Sequence, residues 1–262
     1  MKLRWLLTSG IAYASSTYAA PIPVTIYTDE GVPPYSYQEE GNAVGIYPEL
    51  VRSIARKMPD FDITIEAVPW DRGLKLLEFG KGFALIPPYY LPKARPFIDP
   101  YSEPLMEEEV TVYCHKDIAD EIDTDSGWPA SFFGRRIGIN SGYNIGGEAL
   151  WVAEKNLDIK IFRGRDTEEN LLKLQARRID CYLHISLSIE WNAKSLNRLG
   201  KIDNLSWLIR VLKVSSQFAY VGYTAIDDQF PFKQRFIEEF DVLLIEHQET
   251  GQLDEIIRKY SN

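Results

Sequence analysis

Val68-Pro69-Trp70-Asp71-Arg72, a leucine-rich run to Phe79, then Phe83-Ala84-Leu85-Ile86-Pro87-Pro88-Tyr89-Tyr90 and Lys93-Ala94-Arg95-Pro96 form the stretch whose reading decides the fold. Leu74, Leu76, Leu77 and Phe79 give the first part a helical apolar face, which Gly80 and Gly82 close. Residues 83–86 are short and wholly apolar, as a strand covered on both faces must be. A strand ending in an aromatic loop and then an arginine suits the capture of a small anion at the C-terminal edge of a sheet. The competing reading is a surface loop with an exposed arginine.

Working outward, the same alternation appears on both sides. Val24-Thr25-Ile26-Tyr27-Thr28 reads as a strand, followed by the loop Gly31-Val32-Pro33-Pro34-Tyr35-Ser36-Tyr37. Leu50, Val51, Ile54, Ala55 and Met58 stripe a helix with Pro48 in its first turn, and residues 63–68 form the next strand. Strand, helix, strand, helix, strand is the order of a parallel sheet. It begins again with strands at 136–139, 159–162 and 179–183. Between them Asn140-Ser141-Gly142-Tyr143-Asn144 leads into one helix, and Thr167 is expected to cap another through Gln175. A helical stretch follows over 186–199, then strands at 207–211 and 218–223. A helix striped by Phe232, Phe236, Phe240, Leu243 and Leu244 and a last one over 252–260 close the chain. Two α/β lobes joined by extended strands are expected, with a ligand cleft between them.

The length of 262 residues is enough for two cores, and 45% apolar with 13% aromatic residues describes a globular chain. A formal charge of -9 argues against nucleic acid or an anionic membrane as partner. Residues 1–19 read as an export signal: Lys2 and Arg4, a short apolar segment, and Thr17-Tyr18-Ala19 as the cleavage site. An anchor helix is the alternative, but Thr8, Ser9, Gly10, Ser15 and Ser16 interrupt the apolar length it needs. A soluble, periplasmic product is expected. Export would permit a disulfide between Cys114 and Cys181, the only cysteines; buried free thiols packing as small hydrophobes are the commoner outcome for cysteines inside strands.

The ordered set of motifs resembles the bacterial family 3 extracellular solute-binding proteins, which serve polar amino-acid ABC transporters. Pro34-Tyr35-Ser36-Tyr37 with Gly45-Ile46-Tyr47-Pro48-Glu49-Leu50-Val51, the Val68-to-Arg72 stretch with Gly80, and Arg95 with Asp99-Pro100-Tyr101-Ser102 carry the first half. Asn140-Ser141-Gly142-Tyr143, Arg178-Ile179-Asp180 and Thr250-Gly251-Gln252-Leu253 with Lys259-Tyr260 carry the second. The resemblance implies an α/β, two-lobed type II periplasmic-binding-protein-like fold, each lobe a mostly parallel sheet flanked by helices, the lobes joined by two crossover strands. Lobe 1 is expected over 20–108 and 215–262, and lobe 2 over 109–214. A hinged trap of this kind closes over its ligand.

Arg95 falls where that family's arginine grips a ligand carboxylate, a task its planar fork suits. Trp70 and Tyr35 are the expected aromatic walls, with ordinary core packing as the alternative for each. Tyr90 stands where amino-acid binders place hydroxyl residues. Ser141, Gly142, Tyr143 and Asn144 are expected to open a helix whose free N–H groups form a second clamp. The family's acid for the ligand ammonium should follow Asp180 by about five residues, yet His184-Ile185-Ser186 stands there without a carboxylate. His184 either faces the cleft or is a hydrogen-bonded core histidine. Glu190 and Asp29 are candidate replacements. The Glu107-Glu108-Glu109 run reads as a solvated face.

A solute-binding protein that delivers a small carboxylate, a polar amino acid or an analogue, to an ABC permease is the leading function. An enzyme on the same scaffold, resembling cyclohexadienyl dehydratase, and a ligand-sensing module for a membrane receptor are the alternatives. No nucleophile elbow, phosphate loop or metal-ligand spacing is present, the three histidines being scattered, so no catalytic residue, metal or cofactor is expected. The chain is expected to act as a monomer.

Overall fold

The computed structural model describes residues 20–226 and 228–261, so the expected signal segment lies outside the described residues. In chain order come β1 (Ile22–Asp29), a small hairpin unit of β2 (Gly31–Val32), β3 (Ser36–Glu39) and β4 (Asn42–Val44), then α1 (Ile46–Ala55) and β5 (Phe61–Val68). Next are α2 (Trp70–Glu78), β6 (Ala84–Ile86), β7 (Ile98–Tyr101), β8 (Glu107–His115), the single turn α3 (Lys116–Ala119) and β9 (Arg136–Asn140). The chain goes on through α4 (Gly147–Lys155), β10 (Lys160–Gly164), α5 (Thr167–Gln175), β11 (Cys181–Ile185), α6 (Ser186–Arg198) and β12 (Leu208–Phe218). It ends with β13 (Gly222–Thr224), α7 (Lys233–Glu249) and α8 (Gln252–Ser261).

Two five-stranded sheets result, ordered β5-β1-β6-β13-β7 and β10-β9-β11-β8-β12. In each, three adjacent parallel strands carry the β-α-β units, and one strand, β13 or β8, runs opposite to the other four. β8 and β12 belong to the second sheet and lie side by side, antiparallel, as the two crossovers between lobes. β12 runs on to Phe218 where the sequence reading ends the strand at 211, and the next expected strand, 218–223, is shortened to β13. The polar stretch of β12 around Lys213, Ser215 and Ser216 is half exposed, and two bulges shift its register, which hides any alternation.

The first core is built around aromatic edges: Phe83 meets Tyr223, Phe230, Phe232 and Phe236 at 5.1–5.4 Å, and Phe61 meets Phe236 at 5.0 Å. The second core is more aliphatic, and Cys114 and Cys181, paired across β8 and β11, are joined there by a disulfide. That corrects the expectation of free thiols: adjacent strands bring the two sulfurs into register, a juxtaposition that strand assignment alone did not reveal. Asp166, not Thr167, caps α5, accepting from the Glu169 N–H at 2.8 Å.

Candidate functional site

Residues at the C-terminal ends of β1, β6 and β9 (Asp29, Pro87 and Asn140) meet at the cleft between the lobes. Two cavities lie there. The outer, of about 490 Å³, is lined by Asp29, Trp70, Asp71, Ser141 and Tyr143 among others. The inner, of about 20 Å³, is lined by Trp70, Tyr89, Arg95, Glu108, Tyr143 and Asn144 among others. Trp70 and Tyr143 line both, their rings 5.8 Å apart across the interlobe gap.

Arg95 sits in the loop after β6, held by its N–H to Leu91 O, and is 7% exposed. Its guanidinium lies over the Trp70 ring at 5.4 Å and its Nη2 donates to the Gly142 carbonyl of the opposite lobe at 3.4 Å. Among the described residues no carboxylate forms an ion pair with it, and burial pulls its pKa down. A buried guanidinium satisfied by one long carbonyl contact retains several free donors. Trp70 Nε1 is likewise buried without an acceptor.

Asp29 ends β1, almost fully buried. It accepts from the Gly31 N–H at 2.9 Å and from the Tyr143 hydroxyl at 2.8 Å, which ties the lobes together. Burial pushes its carboxyl up to about 6 despite both bonds. Glu108 is 1% exposed, which corrects the reading of the glutamate run as a solvated face. Successive residues of β8 point to opposite sides, so Glu107 is exposed while Glu108 turns inward. Its carboxylate accepts from the Tyr47 hydroxyl and, at 2.7 Å, from the Tyr89 hydroxyl. Burial raises it to about 7, and both tyrosines are themselves held protonated by burial and by that charge.

Other candidates fall elsewhere. Tyr90 is 61% exposed, packed against Tyr101 and Tyr220 on the outer surface, and its neighbour Tyr89 occupies the cavity wall instead. Tyr35 is buried and stacked on Tyr47 at 5.7 Å within the first core. His184 is fully buried behind Tyr143, 3.5 Å from Asn140 Nδ2, and burial lowers it to about 3, so the ring is neutral near pH 7. Glu190 accepts from Tyr113 at 2.6 Å and lines a different groove, with Trp191 and Lys194.

The second-lobe loop also differs from expectation. Residues 141–146 are not helical; α4 begins at Gly147, with Gly146 in the left-handed region before it. The Ser141 N–H is spent on Gly164 O and the Tyr143 N–H on Asn140 O, so neither is available as a helix N-terminal clamp. Gly142, at φ 75°, approaches the other lobe so closely that an added Cβ would lie 1.9 Å from Asp71 Oδ1 and 3.0 Å from Trp70 Cδ1.

A cleft between two such lobes, with a buried arginine on one wall, defines a solute trap. The sequence matches the model of the bacterial extracellular solute-binding proteins, family 3, over residues 24–262, and the chain belongs to that family. Solved structures share its fold at low identity. A histidine kinase sensor domain with similarity to periplasmic binding proteins is 18% identical, with 92% of this chain and 96% of that chain covered and a TM-score of 0.73. An ancestral amino-acid-binding protein, a precursor of cyclohexadienyl dehydratase, is 17% identical over 92% and 96%, with a TM-score of 0.69. The substrate-binding protein of an amino acid ABC transporter is 14% identical over 91% and 98%, with a TM-score of 0.67. No curated protein sequence matches the chain significantly.

Proposed function

We propose that this solute-binding protein captures a small carboxylate-bearing solute, an amino acid or an analogue, between its lobes and delivers it to an ABC permease in the periplasm. The observation that carries this reading is Arg95: a guanidinium 7% exposed, in an interlobe cavity, with no ion-pair partner among the described residues. Burying a charge without a counter-ion is costly, and a ligand carboxylate offsets that cost through two parallel charge-assisted bonds. Trp70 adds a flat apolar wall and an unspent N–H donor beside it. The bond Arg95 makes across the gap, to Gly142 O, is long enough at 3.4 Å to yield to a ligand oxygen. The solute-binding proteins of the family and the amino acid transporter component of the same fold support binding over catalysis. Calorimetry with carboxylic and amino acids tests the reading, comparing wild type with Arg95→Ala. A fall of about a hundredfold in carboxylate affinity in a folded variant is expected, and unchanged affinity would remove Arg95 from the site.

A further inference from the structure

The cleft holds an arginine for an anion, but the position after β11 offers no acid for a ligand ammonium. The charged groups that do line the inner cavity are Arg95 and Glu108. Glu108 reaches it from a crossover strand, and its two oxygens are fixed by Tyr47 from α1 and Tyr89 from the loop after β6. A carboxylate offers about four acceptor sites, so two hydroxyl donors leave capacity for a third partner. The cavity of about 20 Å³ between these groups holds one water-sized group, the size of an ammonium.

We propose that Glu108 is the specificity-determining acid of this protein, receiving the α-ammonium of an amino acid whose carboxylate is held by Arg95. The assignment rests on the carboxylate reading of Arg95 given above. It places the anion on the first crossover rather than at the start of α6, where Ile185 and Ser186 stand. Facing Glu108 are Tyr47 from α1, Tyr35 and Tyr89 from first-lobe loops, Tyr143 from the second lobe and Arg95 across the cavity. Arg95 is the one cation among them. With Glu108 titrating at about 7, amino-acid affinity rises with pH as the carboxyl ionises, while the ligand ammonium stays charged.

The test is calorimetry on the purified protein at about pH 5.5 and about pH 8. The probes are amino acids paired with their deaminated analogues: L-glutamate with glutarate, L-leucine with 4-methylpentanoate, L-phenylalanine with 3-phenylpropanoate and L-lysine with 6-aminohexanoate. Wild type is expected to bind one amino acid at least about tenfold more tightly than its partner at the higher pH, and to lose most of that preference at the lower. Glu108→Gln should abolish the preference and its pH dependence while leaving the deaminated acid bound. A variant that keeps the preference overturns the proposal. Should Glu108→Gln fail to fold, the wild-type profile decides, because a preference that does not change with pH overturns it equally. Arg95-dependent binding of deaminated acids alone overturns the Glu108 assignment and leaves the carboxylate reading standing. Binding of no probe overturns both.

Discussion

The two walls of the cleft are made differently. The first-lobe wall presents charged side chains braced by buried partners: Arg95 over Trp70, and Asp29 bonded to the Gly31 N–H. At the inner cavity the second-lobe wall is a loop, residues 140–146, that offers a carbonyl at Gly142 and a tyrosine, with a disulfide-tied sheet behind it; the charges of that lobe, Arg163, Arg165, Asp166 and Glu169, line the outer cavity. Under the proposed reading the first wall holds the solute's charged group at the inner cavity, and the second closes over it. Glu108, on the strand that joins them, belongs to neither alone.

The largest expected effect comes from loosening what stands behind the second wall. The disulfide closes a chain separation of 67 residues, and the double variant C114A/C181A should lose about 4 kcal/mol in denaturant titration. A loss confined to a few tenths would mean that the second lobe does not depend on it. Next comes Arg95→Ala, which should lower carboxylate affinity about a hundredfold with the melting temperature nearly unchanged. A large fall in melting temperature instead would make the first wall structural.

Gly142→Ala probes closure alone. The approach to Asp71 should cost about 1 kcal/mol of closed state, or roughly fivefold in affinity, without altering the ranking of ligands. A changed ranking, read by the same calorimetry, would show that the loop also discriminates. The smallest effect concerns Asp29. Its folded carboxyl titrates at about 6 against 3.8 for the ordinary group, so between those values the folded protein holds a proton that the unfolded chain has released. Its contribution to stability therefore falls as pH rises across that window. Tyr143→Phe removes a bond that favours the charged form, so thermal melts from about pH 4 to pH 7 should decline more steeply in the variant. Parallel curves would separate Asp29 from the tyrosine.

Much of this was legible in the chain. The 3.6 period of Leu50, Val51 and Ile54 and the apolar run at residues 84–86 announce α1 and β6, because core burial leaves a pattern. The motif singled out Arg95, which the structure buries at the inner cavity. Tyr89 was not distinguishable from Tyr90, since a loop has no period to say which of two adjacent rings turns inward. Glu108 was hidden by its neighbours: three identical charges look like one solvated run. Extending the alternation of Val112 and Val110 back by two residues would have put it inside. The Cys114–Cys181 bond depended on register, which is a property of two strands together and not of either sequence.

The hairpin unit of the first lobe bears on timing. The Pro33 carbonyl accepts from Ser188 Oγ at 2.7 Å and from Asn192 Nδ2 at 3.2 Å, both on α6 of the second lobe, and Tyr37 packs on Trp191 beside them. These bonds lie away from Arg95, so they hold the jaws together irrespective of what the solute is. Each opening must break them. Under the proposed reading they give every captive the same brake on release, while Arg95 and Glu108 select which molecules are captured.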